Sequence, residues 1–139
     1  MNIRCLGIAC TVLMLAGPVF AHHGFGVFDY GKEVTIVGEL KELQWTNPHI
    51  HLLINVANGR GGVTEWDVEA GTTGAMQSAG WSRDVIKPGE KISVLLRPMK
   101  NGTKGGQLMR ARRADGTGIG GPYYTLALYG VEIVVQGKV

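Results

Sequence analysis

All four histidines of the chain fall in two clusters, His22–His23 and His49 with His51. The second pair is two residues apart on a predicted strand, so both imidazoles project from one face. Exposed rings at that spacing can share a cation. The loop Asn58–Gly62 reads as a hairpin turn. A short turn there pairs residues whose numbers sum to about 118–120. His51 then stands opposite Asp67 or Glu69, and His49 near Glu69 or Gly71. Cross-strand neighbours of this kind interact, which makes a two-histidine surface with Asp67 and Glu69 in support.

His22 adds a different chemistry. If a leader is cut after Ala21, His22 carries a free α-amine that titrates near pH ~8 and serves as a ligand when neutral. Amine, His22 ring and a third imidazole form a histidine brace, and nitrogen-rich sites of that type favour copper(II) over zinc. His22 and His49 are the expected core pair, with His23 or His51 assisting. A plainer reading stands beside it. His49 and His51 form surface ion pairs to Glu69 and Asp67, which contribute little, and His22–His23 is an end without a role.

Lys100, Lys104, Arg110, Arg112 and Arg113 flank the last predicted hairpin, with Arg97 nearby. Basic grooves with stacking aromatics bind nucleic acid on small barrels. Export, a mature charge of only +2 and a core position for Trp66 argue against nucleic acid here. A protein, envelope or acidic glycan partner fits the group better than nucleic acid, and a plain solvated hairpin fits it better still. The run Gly116–Gly121 imitates a phosphate loop but follows no parallel strand and opens no helix. It reads as a flexible connector. Met76, Met99 and Met109 are too few and scattered for a methionine copper(I) cluster and read as core packing. Ser78, Ser82 and Ser93 lie in no nucleophile elbow, so no catalytic residue is assigned.

Met1–Arg4 is a short basic start, Cys5–Phe20 is apolar, and Val19-Phe20-Ala21 has the small residues that signal peptidase reads. The apolar run is too short for a membrane span. Residues 1–21 are therefore expected to be a cleaved signal peptide, and 22–139 one domain with no transmembrane span. Cleavage removes Arg4, lowering the net charge from +3 to +2, and removes both cysteines, Cys5 and Cys10. The remainder has no disulfide, thiolate metal site or cysteine nucleophile. It folds on its hydrophobic core in a periplasmic or secreted setting, which its length allows.

The elements that must position these residues are strands. Glu33–Trp45 reads as the first, with a phase slip near Gly38–Glu42 that marks a β-bulge. His49–Ala57, Val63–Ala70, Lys91–Met99 and Gln107–Ala114 follow, separated by Gly- and Pro-rich turns. Thr72–Gly80 is a short helix candidate, capped by Thr72 and ended by Gly80. Tyr123–Val135 is an apolar tail that fits one more strand. Three strands, a helix and two strands is the order of the OB barrel. The expected class is all-β with one short helix, a five- to six-stranded OB-like barrel; a small β-sandwich is the alternative.

His22-His23-Gly24-Phe25, Phe28-Asp29, Gln44-Trp45-Thr46-Asn47-Pro48-His49, Glu65-Trp66, Gly80-Trp81 and Lys87-Pro88-Gly89-Glu90 together resemble a family of small exported, largely proteobacterial proteins of unknown function. The resemblance spans nearly the whole chain after Ala21. It implies a periplasmic β-barrel of unassigned activity and brings no catalytic residues. His22, His23 and His49 match its motif positions, whereas His51 stands where relatives often carry other residues. The leading expectation is a non-enzymatic module that binds copper through His22, His23, His49 and His51, for handling or delivery. A metal-free interaction module is the alternative, and a copper redox enzyme ranks third.

Overall fold

Val34, Ile36 and Leu40 alternate inward along the first strand and start a closed barrel whose interior is almost wholly Ile, Leu and Val. The computed structural model describes residues 25–120. A 3-10 turn, Phe25–Val27, precedes β1 (Val34–Gln44), β2 (His51–Ala57), β3 (Val63–Glu69), the helix α1 (Thr73–Ser78), β4 (Lys91–Pro98) and β5 (Gly105–Arg113). The strand order around the barrel is β1-β2-β3-β5-β4, closed by β1 against β4. Every pairing is antiparallel except β3 with β5. The class is the one expected, an OB-like all-β barrel with one short helix.

Leu52, Ile54, Val68, Val94 and Leu96 are fully buried in this core. Burying each such side chain stabilises the fold by about 1.5–3 kcal/mol. The expected bulge on β1 falls between Leu40 and Glu42. Its extra residue, Lys41, moves the inward set from the parity of Leu40 to that of Leu43.

Closure depends on two glycines. Gly105 and Gly106 face Asp67 and Val68 in the short parallel ladder. A Cβ on Gly105 would overlap the Asp67 carbonyl oxygen, and one on Gly106 the Arg97 carbonyl oxygen and the Leu96 side chain. The sequence places both in the preceding loop, because glycine is a turn signal. Here it permits close backbone approach, and β5 begins two residues earlier than Gln107.

α1 begins as expected, with Ala75 N–H donating to Thr72 Oγ1 at 3.2 Å, but ends at Ser78, ahead of Gly80 with φ of +80°. Met76 seals the barrel beneath it. The turn ahead of β2 is tied to this helix, since Thr73 donates through both N–H and Oγ1 to Asn47 Oδ1 at 3.0 Å. The Asn47–Pro48 peptide is cis.

Regular pairing of β2 begins at His51 rather than His49. Hydrogen bonds between Ile50 and both Ala70 and Gly71 nevertheless prolong the edge. The loop after β5 is not a loose connector. Thr117 N–H donates to Asp115 Oδ1 at 2.8 Å, Gly118 bridges back to Arg112, and Ile119 is fully buried. Its one large apolar residue reaches the core, which glycine counting overlooks. The signal-peptide segment, His22, His23 and the tail Tyr123–Val135 lie outside the described residues. Among the described residues no helix is long and apolar enough to cross a membrane.

Candidate functional site

The outer surface of the barrel carries one polar row that crosses four strands. The pairings His51↔Glu69, Glu69↔Gln107 and Gln107↔Arg97 align residues of β2, β3, β5 and β4. All four point away from the core, because their strand neighbours Leu52, Val68, Leu108 and Leu96 point into it. Gln107 is nevertheless only 4% exposed. The lead segment ahead of β1 crosses this face. Phe28 bridges to Met99, Asp29 N–H donates to the Pro98 carbonyl at 2.8 Å, and Lys100 N–H donates to the Val27 carbonyl at 2.9 Å. Tyr30 lies against Arg97, with the guanidinium carbon 4.8 Å from the ring centre. Phe28 is buried but stands apart from the barrel core. Beneath this cover, Arg97 Nε and Gln107 Oε1 have no hydrogen-bond partner among the described residues.

The two strand histidines meet the carboxylates of β3 as pairs. His51 Nδ1 lies 2.7 Å from Asp67 Oδ1, and His49 Nδ1 contacts Glu69 Oε1. The backbone register has the expected sum, with His51 directly opposite Glu69. The His51 side chain reaches diagonally to Asp67, which frees Glu69 for His49. In a neutral ring such a contact places the proton on Nδ1 and a lone pair on Nε2. Each ring is 31% exposed, so its outer edge stays accessible. No group of three His, Cys, Asp or Glu among the described residues is arranged to hold a metal ion. Two imidazoles are each met by one carboxylate.

A cleft lies beside the row. It measures about 220 Å³ and is lined by Val27, Phe28, His51, Asp67, Glu69 and Met99, with Thr103–Gly106 along one edge. The lead and the end of β4 run antiparallel here. His22 and His23 themselves lie outside the described residues.

The lead carries its own ion pair. Asp29 binds Lys32 Nζ at 2.8 Å and accepts from Gly31 N–H at 3.1 Å. The hydrogen bond from Lys32, more than that from Gly31, holds the Asp29 carboxyl below the usual aspartate range.

The five basic residues do not form one patch. Lys100 and Lys104 stand before β5, while Arg112 and Arg113 stand at its other end, a strand length of roughly 25 Å away. Arg113 is bound to the Val85 carbonyl at 2.6 Å and lies near Glu90 at 3.5 Å. Lys104 Nζ sits 5.4 Å from the centre of the Trp66 ring. Trp66 is half-buried at the barrel mouth, between the fully inward and solvent positions. Arg110 points outward from mid-strand, opposite Leu95.

Reading the sequence missed Gln107 and the covering role of the lead. The one available signal was an uncharged Gln flanked by Gly106 and Leu108 in a strand of otherwise regular character. Nothing in the sequence says what lies over it.

No curated protein matches the chain. A solved structure, the mitochondrial single-stranded DNA-binding protein Rim1 of S. cerevisiae, is similar at 12% identity with a TM-score of 0.46, over 60% of this chain and 93% of its own. The family of unknown function DUF6152 matches residues 9–109. The chain therefore belongs to that family.

Proposed function

We propose that this chain is an exported, periplasmic or secreted barrel that binds a transition metal, copper, for handling or delivery rather than turnover. The observation that carries the reading is the pairing of each strand imidazole, through Nδ1, with a carboxylate. Metal-ligating histidines are oriented in this way, with the second nitrogen left as the ligand. His51 also lines the cleft that Val27 and Phe28 share, which puts the lead within reach. Cleavage after Ala21 would leave His22, His23 and Gly24 ahead of the docked segment. His22 would then bring its amine and ring, with His23 or His49 assisting.

The test is copper(II) titration of the protein exported with its leader and recovered after cleavage. The expected result is one tight site, weakened at least tenfold by His51→Ala and by one extra residue ahead of His22, a range typical for loss of an orienting or ligating group. Binding unchanged by both alterations would defeat the proposal. A second reading, an acidic glycan or other envelope partner, has one observation in its favour. Trp66, Arg60, Lys104 and Thr64 line a separate open cleft of about 510 Å³. Copper-free protein that retains an anionic glycan, and loses it on Trp66→Ala, would favour that reading.

A further inference from the structure

We infer that the free edge of β3 takes an extended peptide with acidic side chains, which adds as a further strand where β5 leaves the sheet. This goes beyond the copper reading and does not rest on it. The ladder between β3 and β5 joins only Asp67–Glu69 to Gly105–Gln107. Ahead of it the Lys104 carbonyl still accepts from Asp67 N–H at 3.1 Å. The chain then turns, with Thr103 N–H donating to Asn101 Oδ1 at 3.0 Å and Gly102 N–H to the Met99 carbonyl at 3.2 Å. The first half of β3 is therefore paired with β2 alone.

The register shows which backbone groups are free. Residues of an antiparallel pair alternate between bonding across the pair and pointing away from it. Ala70 N–H donates to the Ile50 carbonyl at one end of the β2–β3 hairpin and Asn58 N–H to the Gly62 carbonyl at the other. Even-numbered positions of β3 therefore bond to β2, and Asp67, an odd one, turns its N–H to Lys104. Val63 and Glu65 share the parity of Asp67. Their N–H and C=O groups point away from β2 and have no backbone partner among the described residues. No bulge or proline blunts this edge. Such a row of unpaired groups is a template for another strand.

The side chains beside the edge set the chemistry of the partner. Thr64 and Trp66 have the parity of buried Val68, so they face the inner side of the sheet. With Val56, Arg60 and Lys104 they line the open cleft of about 510 Å³. Arg60 and Lys104 are exposed, and neither forms an ion pair among the described residues. Lys104 lies over the Trp66 ring instead. Glu65 has the opposite parity and is tied to Lys41 at 2.5 Å. An added strand alternates in the same way, so every second side chain of the peptide enters the cleft, where a carboxylate meets two uncompensated cations. The intervening side chains lie beside Val63, which is 62% exposed, and apolar ones fit there. A sugar stacked on Trp66 fills the cleft without engaging the backbone of Val63 or Glu65, and that difference decides between the two ligands.

The experiment follows amide hydrogen exchange of the unaltered exported protein with and without a capped heptapeptide of alternating valine and glutamate. The Val63 and Glu65 amides should exchange freely in the unbound protein and slow at least tenfold under saturating peptide, while those of Thr64 and Trp66 keep the protection that β2 gives them. Glu65→Pro removes one edge N–H that makes no bond to β2, a place where a strand tolerates proline. It should weaken peptide binding at least tenfold, whereas Glu65→Ala, which keeps the N–H, should bind within about twofold of the unaltered protein. The same peptide with lysine for glutamate should bind at least tenfold more weakly. Absence of peptide binding, or binding that leaves the Val63 and Glu65 amides unprotected, overturns the inference, and so does an equal loss in Glu65→Ala and Glu65→Pro. Oligogalacturonate that binds more tightly than the peptide, without protecting those amides, makes the cleft a sugar site instead. Protection that appears with protein concentration alone, together with dimers in sedimentation, gives the edge to a second copy of the chain and overturns the peptide.

Discussion

Two stretches of the same barrel wall meet solvent differently. On β1 the outward residues Thr35, Val37 and Glu39 are exposed, and Val37 leaves 51% of its surface in water. On β5 the outward Gln107 is nearly sealed, and its partner Arg97 lies against Tyr30. Both stretches obey the same alternation, with every second residue facing the core. The difference is the lead segment, which lies over one stretch and leaves the other bare. Burial of an outward side chain therefore reports a second layer rather than a property of the strand. The candidate metal ligands sit at the edge of that layer, where a polar row passes from covered to open.

The largest effect should come where the covered wall closes. Gly106→Val places a branched side chain against the Arg97 carbonyl oxygen and Leu96. Overpacking typically costs about 1–3 kcal/mol, and loss of the β3–β5 ladder adds to it. The expected outcome is a loss on the order of 3 kcal/mol or failure to fold, read by urea denaturation. Gly26→Ala, a position on the lead with open space around its Cβ, should change stability by less than about 0.5 kcal/mol. Equal effects at the two glycines would mean that close approach does not hold the barrel shut.

Next in size is the lead itself. Phe28 is 6% exposed although it lies outside the core. Phe→Ala in a full core costs about 3–5 kcal/mol, and one covered on a single layer should cost less, about 2 kcal/mol. Val37→Ala on the bare wall should cost under about 0.5 kcal/mol. Hydrogen exchange sharpens the contrast. In Phe28→Ala the Asp29 and Lys100 amides, which bond across to Pro98 and Val27, should lose protection while those of β1 keep theirs. If both variants lose the same stability, the lead is not a docked layer.

The barrel was legible in the sequence because its interior obeys a local rule. Ile50, Leu52, Ile54 and Val56 alternate with polar partners, and a register sum from one hairpin put His51 opposite Asp67 or Glu69, of which the structure has Glu69. The bulge at Leu40–Glu42 showed as a phase slip, and Thr72 showed as a helix cap. Three things did not show. Gly105 and Gly106 looked like loop because their reason for being glycine is a neighbour from another strand. Ile119 looked stranded among glycines because its partners are distant in sequence. Gln107 gave no sign of burial, because the lead that crosses its face lies some eighty residues upstream (Phe28). Each is a tertiary contact with no periodic trace. The histidine–carboxylate pairs were half legible: register named the candidates, but only side-chain geometry assigned His51 to Asp67 and His49 to Glu69.

The smallest effect concerns charge on the lead against charge elsewhere. Asp29 and Asp84 have carboxyls held below the ordinary value of 3.8, the first chiefly by its hydrogen bond from Lys32 and the second chiefly by that from Lys87. Their ionised forms are favoured by the folded state. The contribution is then fully present above the unfolded value and disappears as pH falls through the lower folded values. Thermal melts between pH 5 and pH 3 should therefore show a fall in Tm that Asp29→Asn and Asp84→Asn each make shallower. Both pairs are exposed, so the effect should shrink in high salt. The Asp29 pair should matter more than the Asp84 pair, because Asp29 also donates its N–H to Pro98 and lies on the segment whose docking covers Arg97 and Gln107. Charge lost there loosens the cover as well as the pair, whereas charge lost at Asp84 loosens only a loop. A slope altered equally by the two substitutions would mean that the ion pair at Asp29 is independent of docking, and that Phe28 and Tyr30 hold the lead by apolar contact alone.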